Sequence, residues 1–136
     1  MFNRKIIIVF LIFTLVLSYA CTYNKAEVKP VVDCSKIIPD TVSFSADIVP
    51  VLNKSCNTSG CHSGGSPQGN LNLEATKAYA QLNKSGSGYL NVNNPHNSVL
   101  YLSLTSTSDP MPPVGTLDPC TVELIVKWMS QGAKNN

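Results

Sequence analysis

Charge is scarce in this chain of 136 residues, where 13% of side chains are charged against the usual quarter or so. That excludes the acidic and basic disordered-tail classes, and a formal net charge of +2 leaves no electrostatic footprint for nucleic acid. Arginine occurs once, as Arg4, so any anionic group bound further along must be met by lysine, amides or helix ends. The chain shows no internal repeat and no glycine-rich catalytic signature. No apolar run is long enough to cross a bilayer comfortably: the longest, Ile6 to Ala20, has 15 residues, where a spanning helix needs about 20. The total length allows one small domain and not two.

What is present begins with Arg4 and Lys5 ahead of that apolar run, a positively charged start leading into a short hydrophobic stretch, which is the form of an export signal. Residues 1–20 are therefore set apart as a signal peptide. Removing Arg4 and Lys5 from the ten basic residues leaves eight, equal to the eight acidic ones, so the remainder is formally neutral. The segment Leu17-Ser18-Tyr19-Ala20-Cys21 resembles the lipobox of bacterial lipoproteins, in which the cysteine is acylated and becomes the first residue. Leu17 stands four places before the cysteine rather than three, and Tyr19 is bulky for its position. Ordinary cleavage nearby and an uncleaved anchor are the competing readings. Acyl chains on Cys21 imply a membrane tether at the periplasm or cell surface, because each buried methylene contributes about 0.8 kcal/mol and more than one chain is needed for stable anchoring. Export also places the five cysteines where disulfides persist.

Residues 21–40 carry two prolines and no sustained period, and read as a lipidated tether with a few ordered residues at its end. From 41 to 136 the pattern is that of one all-α domain. Phe44, Ile48, Val51 and Leu52 fall on one face of a short helix ending near Ser55, with Ser45 or Asp47 as its cap and Pro50 near the first turn. Asn57 to Asn70 is loop. Glu74 to Leu82 reads as helix with Ala75, Ala78, Tyr79 and Leu82 on one side. Ser98 to Leu104 fits a strand by composition and a helix by context, and helix is chosen. The last helix is signalled at both ends, by Asp118-Pro119 and by Gly132, with Glu123 and Lys127 spaced as an ion pair and Val122, Ile125, Val126 and Met129 as its apolar stripe, widened by Leu124 and Trp128.

Cys56-Asn-Thr-Ser-Gly-Cys61-His62 carries the chemistry. Two thiols a short loop apart, with an imidazole directly after the second, can form thioethers to haem vinyl groups while the histidine reaches the iron. Four residues separate the cysteines where two are usual, and those four are small, polar or glycine, able to bulge outward. A disulfide and a zinc site remain open for the same residues. Met111 lies in Asp109-Pro110-Met111-Pro112-Pro113, a stiff loop outside any apolar stripe, and a thioether presented this way suits haem iron better than zinc. His96 competes as second ligand, although its turn-rich surroundings, Asn94-Pro95-His96-Asn97, fit a solvated loop residue.

From about Phe44 to Ala133 the chain resembles the small class I c-type cytochrome domains of exported bacterial proteins, including the planctomycete-type cytochrome c-like family. The stretches that carry the resemblance, in order, are Phe44 to Pro50, Cys56 to His62, Gly69 to Leu73, Asn94-Pro95 with Ser98 to Tyr101, Met111-Pro112-Pro113, and Ile125 to Ala133. The resemblance implies a cytochrome c-like fold of short helices around one covalent haem c on Cys56 and Cys61, with His62 as proximal and Met111 as distal ligand. It also implies that the first and last helices cross with Trp128 in the contact. In such a fold Cys34 and Cys120 fall on neighbouring elements, where they form either a disulfide or two buried free thiols. A six-coordinate His/Met haem has no open position for a substrate, so the implied role is not enzymatic: a membrane-tethered carrier passing single electrons between redox protein partners. Two other readings stand beside it. One is a haem-free lipoprotein with a Cys56–Cys61 disulfide, acting as a binding or structural module; the other is an open haem site, with Met111 off the iron, that reacts with peroxide or a small gas.

Overall fold

After a single 3-10 turn at Cys34–Lys36, Ser43 starts the first longer helical segment of a computed structural model that describes residues 32–136. The Ser43 hydroxyl accepts the Ala46 N–H at 3.2 Å, and the Ser43 N–H is donated to Asp47 Oδ2 at 2.7 Å, a reciprocal cap of the kind that satisfies orphan donors. The cap is thus Ser43, not Ser45 or Asp47. Beyond the cap a wide π-type turn, Phe44–Ile48, runs directly into helix α1, Val49–Ser55. Pro50 accounts for the widening: its ring crowds the carbonyl four residues back and supplies no N–H, so the preceding turn opens to a five-residue bond from Val49 N–H to the Phe44 carbonyl. The remaining donors of that turn are met by Asn136, whose side-chain oxygen accepts from Phe44 N–H at 2.9 Å and whose carbonyl accepts from Ser45 N–H at 2.8 Å.

Three further helices complete the described part, which holds no strand: α2 (Ala78–Leu82), α3 (Val99–Thr105) and α4 (Pro119–Ser130). Helix α2 is shorter than the expected run from Glu74, because residues 74–77 form a turn in which Lys77 and Ala78 both donate to the Glu74 carbonyl at 2.8 Å. Ser98 caps α3 by accepting the Tyr101 N–H at 3.1 Å while donating to the Pro95 carbonyl at 2.6 Å, which settles the helix over the strand. Asp118 caps α4 through the Thr121 N–H, with Pro119 as its first residue. At the other end Gly132, at φ 92°, adopts the left-handed conformation, and Ala133 and Gly132 donate back to the Trp128 and Met129 carbonyls at 3.0 and 2.9 Å. That is a Schellman ending, and only glycine takes this backbone without strain. Glu123 and Lys127 stay beyond ion-pair distance; among the described residues the salt bridge is Lys77–Glu74.

The core gathers around Trp128, which is 0% exposed. Its ring lies 5.3 Å from that of Phe44, which in turn meets Tyr79 edge-on at 5.3 Å, and its Nε1–H donates to the Lys134 carbonyl at 2.9 Å. The last helix therefore meets the π-type turn that leads into α1, through Trp128. Ile48, Leu52, Ile125 and Met129 fill the space beside it. The compact unit begins at Val32, so part of the stretch read as tether packs on the domain. A disulfide joins Cys34 to Cys120, Ile38 enters the core, and the Gln131 amide accepts the Val42 N–H and donates to the Asp40 carbonyl. Cys21 and residues 1–20, read above as a signal peptide, lie outside the described residues.

Candidate functional site

Helix α1 ends at the first thiol. Cys56 and Asn57 both donate to the Leu52 carbonyl at 2.9 Å, and the chain then turns back so that Cys61 donates to the Thr58 carbonyl at 3.0 Å and His62 to the Cys56 carbonyl at 3.1 Å. Gly60, at φ 80°, permits the reversal. The additional residues between the cysteines are thereby stored in a tight turn, with Thr58, Ser59 and Gly60 exposed, while Cys56 and Cys61 face a common cavity as free thiols. Burial, and after it the neighbouring Cys61, pushes the Cys56 thiol up to about 11, so this sulfur stays uncharged at neutral pH.

His62 is held by backbone alone. Its Nδ1 lies 3.1 Å from the Gln68 carbonyl and 3.2 Å from the Leu71 carbonyl. A carbonyl can only accept, so Nδ1 carries a proton, and in the neutral ring the lone pair is on Nε2. Metal-ligating histidines are oriented in this way, by a carbonyl or carboxylate on the nitrogen that does not bind the metal.

Both thiols and His62 line one cavity of about 460 Å³, together with Met111. That volume falls in the roughly 300–1,000 Å³ range of small-molecule and cofactor sites. Its walls are mainly apolar: Leu71, Leu73, Leu82, Tyr89, Leu100, Leu104, Pro112 and Pro113. Met111 is anchored to α3 by donating its N–H to the Ser103 carbonyl at 2.9 Å, and two prolines come directly after it. His96, the competing ligand, is exposed, rests edge-on against Tyr101 with ring centroids 4.6 Å apart, and does not line the cavity. Among the described residues no three His, Cys, Asp or Glu side chains converge as a metal-ion site, so a caged zinc finds no donor set here. The donors that do share the cavity, two thiols, one imidazole nitrogen and one thioether in an apolar enclosure, fit a covalently attached haem.

Ile48 and Leu52, although they share the apolar face of α1, do not line the cavity. Leu71, Leu73 and Leu100 do, together with Leu82, Tyr89 and Leu104, and the last three were not legible in the sequence as lining residues. The four-residue spacing of Leu100 and Leu104 was the available signal. A second groove, of about 640 Å³, shares Cys61, Pro112 and Pro113 with the first and is otherwise more polar, with Lys54, Thr116 and Asp118 in its walls.

Compared with known families, residues 59–115 match the family Planctomycete cytochrome C. The matched stretch holds Cys61, His62 and Met111 and stops short of Cys56, α1 and α4. Over it the chain is similar to a cytochrome c-like family. No curated protein and no solved structure matches the chain.

Proposed function

We propose that this protein is a c-type cytochrome that passes single electrons between redox protein partners, tethered to a bacterial membrane by lipid on Cys21 and facing the periplasm or cell surface. The observation that carries the reading is the single apolar cavity bringing Cys56, Cys61, His62 and Met111 together, with the His62 Nδ1 proton committed to carbonyls and Nε2 left with its lone pair. Cys56 and Cys61 would hold haem c through thioethers, and His62 and Met111 would donate to its iron. When bound, the haem supplies one-electron chemistry at iron.

The chain's own residues do the rest. The Gln68 and Leu71 carbonyls fix the imidazole tautomer and the orientation of its ring. Met111, held at Ser103 and stiffened by Pro112 and Pro113, offers a soft sulfur that favours the reduced metal and raises the potential. Leu71, Leu73, Leu100 and Leu104 exclude water from the site. With His62 and Met111 both given to the iron, no open position would remain for a substrate, which favours an electron carrier over an enzyme. Near-neutral protein charge gives weak steering and transient partner contacts.

The test is purification of the full chain from a host able to attach haem. A Soret band that stays with the polypeptide in acidified organic solvent is expected, and its intact mass should carry one haem, acyl groups at Cys21 and one disulfide. Colourless protein, or pigment released into the solvent, refutes the cytochrome reading. Met111→Ala should change both spectrum and potential; if neither moves, the methionine is not a ligand.

A further inference from the structure

Asn72 sits between Leu71 and Leu73 and is only 7% exposed as a residue, and both ends of its amide are used. Nδ2 donates to the Gly64 carbonyl at 3.0 Å, and Oδ1 accepts the Glu74 N–H at 3.0 Å. The Gly64 N–H is itself donated to Glu74 Oε1 at 2.9 Å. The peptide groups two residues beyond His62 are therefore clamped from both sides by residues 72 and 74. Leu73 N–H to the His62 carbonyl at 2.8 Å, and Gln68 N–H to the Cys61 carbonyl at 2.9 Å, close the same loop.

Inside this loop the two carbonyls that face His62 Nδ1 belong to the start and the cap of one isolated 3-10 turn, Gln68–Asn70, closed only by the Leu71 N–H donated to the Gln68 carbonyl at 3.2 Å. Gly64, Gly69 and Asn70 all take positive φ, at 77°, 60° and 55°, and the stretch from Gly64 to Ser66 is exposed. A segment with so little local preference keeps a fixed geometry only through bonds that tie it down. Leu71, whose carbonyl lies 3.2 Å from Nδ1, is the immediate neighbour of Asn72. The geometry points to Asn72 as a positioning residue for His62: by pinning Gly64 to Glu74 it sets the reach of the Gln68 and Leu71 carbonyls to Nδ1, and with it the tautomer and orientation of the imidazole. The tautomer part stands on the hydrogen bonds alone; the redox consequence rests on the proposed role of His62 as an iron ligand.

Two variants separate the contributions. Asn72→Asp is isosteric, keeps the acceptor for Glu74 and removes the donor to Gly64; Asn72→Ala removes both. In the full chain prepared without haem, imidazole nitrogen NMR should find His62 of the wild type in the Nδ1–H form, and either variant should exchange that proton about tenfold faster, the consequence of losing roughly one ordinary hydrogen bond. In haem-loaded protein both variants should raise the midpoint potential, since a weaker bond at Nδ1 makes a less basic ligand. Unchanged tautomer and exchange in both variants, even with a lowered melting temperature, reduces Asn72 to a structural residue and overturns the proposal. So does a wild type with His62 in the other tautomer. Altered exchange in a chain that takes up no haem upholds Asn72 as a positioning residue and refutes the cytochrome reading separately.

Discussion

The part-buried Cys56 thiol gives the chain an alkaline signature that attachment of haem should erase. In the haem-free protein the folded state holds this proton to about 11, against an ordinary value of 9.0, chiefly because burial disfavours the thiolate. Between those two values the unfolded chain binds fewer protons than the folded one, so stability falls as pH rises. The contribution is complete below pH 9 and gone above about pH 11. At about 1.4 kcal/mol per pH unit, and allowing for the part-buried position of Cys56, roughly 2 kcal/mol is at stake. A thioether sulfur has no proton to lose, so haem-loaded protein should lack this component. The assay is urea unfolding at intervals from about pH 8 to 11 on haem-free wild type, haem-free Cys56→Ala and haem-loaded wild type. Tyrosine and lysine titrations are common to all three and cancel in the differences. Equal alkaline losses in wild type and Cys56→Ala would show that the thiol is not held neutral by its surroundings, and the reasoning about that wall of the cavity would fail.

Replacing Cys34 and Cys120 together by serine opens a covalent link across 86 residues and should lower the unfolding free energy by about 4 kcal/mol in the chain-entropy account; a loss below about 1 kcal/mol in urea titration would mean that Gln131 and Ile38 hold the segment unaided. Trp128→Ala empties the most buried large side chain and should cost about 3–5 kcal/mol, read as a fall in melting temperature, whereas Trp128→Phe should cost far less. Asp118→Ala removes the cap of α4 and should cost about 1 kcal/mol. The Thr121 hydroxyl, and then the Thr121 N–H, hold the Asp118 carboxyl below its ordinary range, so its share of stability is present above that range and disappears as pH falls through it. The variant and wild type should converge in acid, and a gap that persists at low pH would contradict the assignment.

The last helix was legible because every signal for it is local: Asp118, Pro119 and Gly132 act on the backbone within a few residues of themselves. The opening of the domain was not, for the opposite reason. Ser43 and the π-type turn depend on Asn136, 93 residues away from Ser43, and no window along the chain contains that bond. Glu123 and Lys127 have the right spacing and form no pair, as expected where two solvated side chains gain little by meeting.

The site divides along the same line. Cys56, Cys61, His62 and Met111 announce themselves by side-chain chemistry, and all four line one cavity. Its walls were read less well, since a helical stripe reports which face is buried and not what covers it. Ile48 and Leu52 on one side, and Leu82 and Leu104 on the other, have equivalent periodicity, yet the first pair faces Trp128 and its neighbours while the second faces the cavity. Least legible of all are the groups that orient the imidazole, because the Gln68 and Leu71 carbonyls are common to every residue type. What the sequence does mark is the side chain that ties their loop. Asn72 is polar between two leucines that are buried, and a polar group in such a place must either be satisfied or cost folding energy. Its two hydrogen bonds answer that demand, and they do so beside His62.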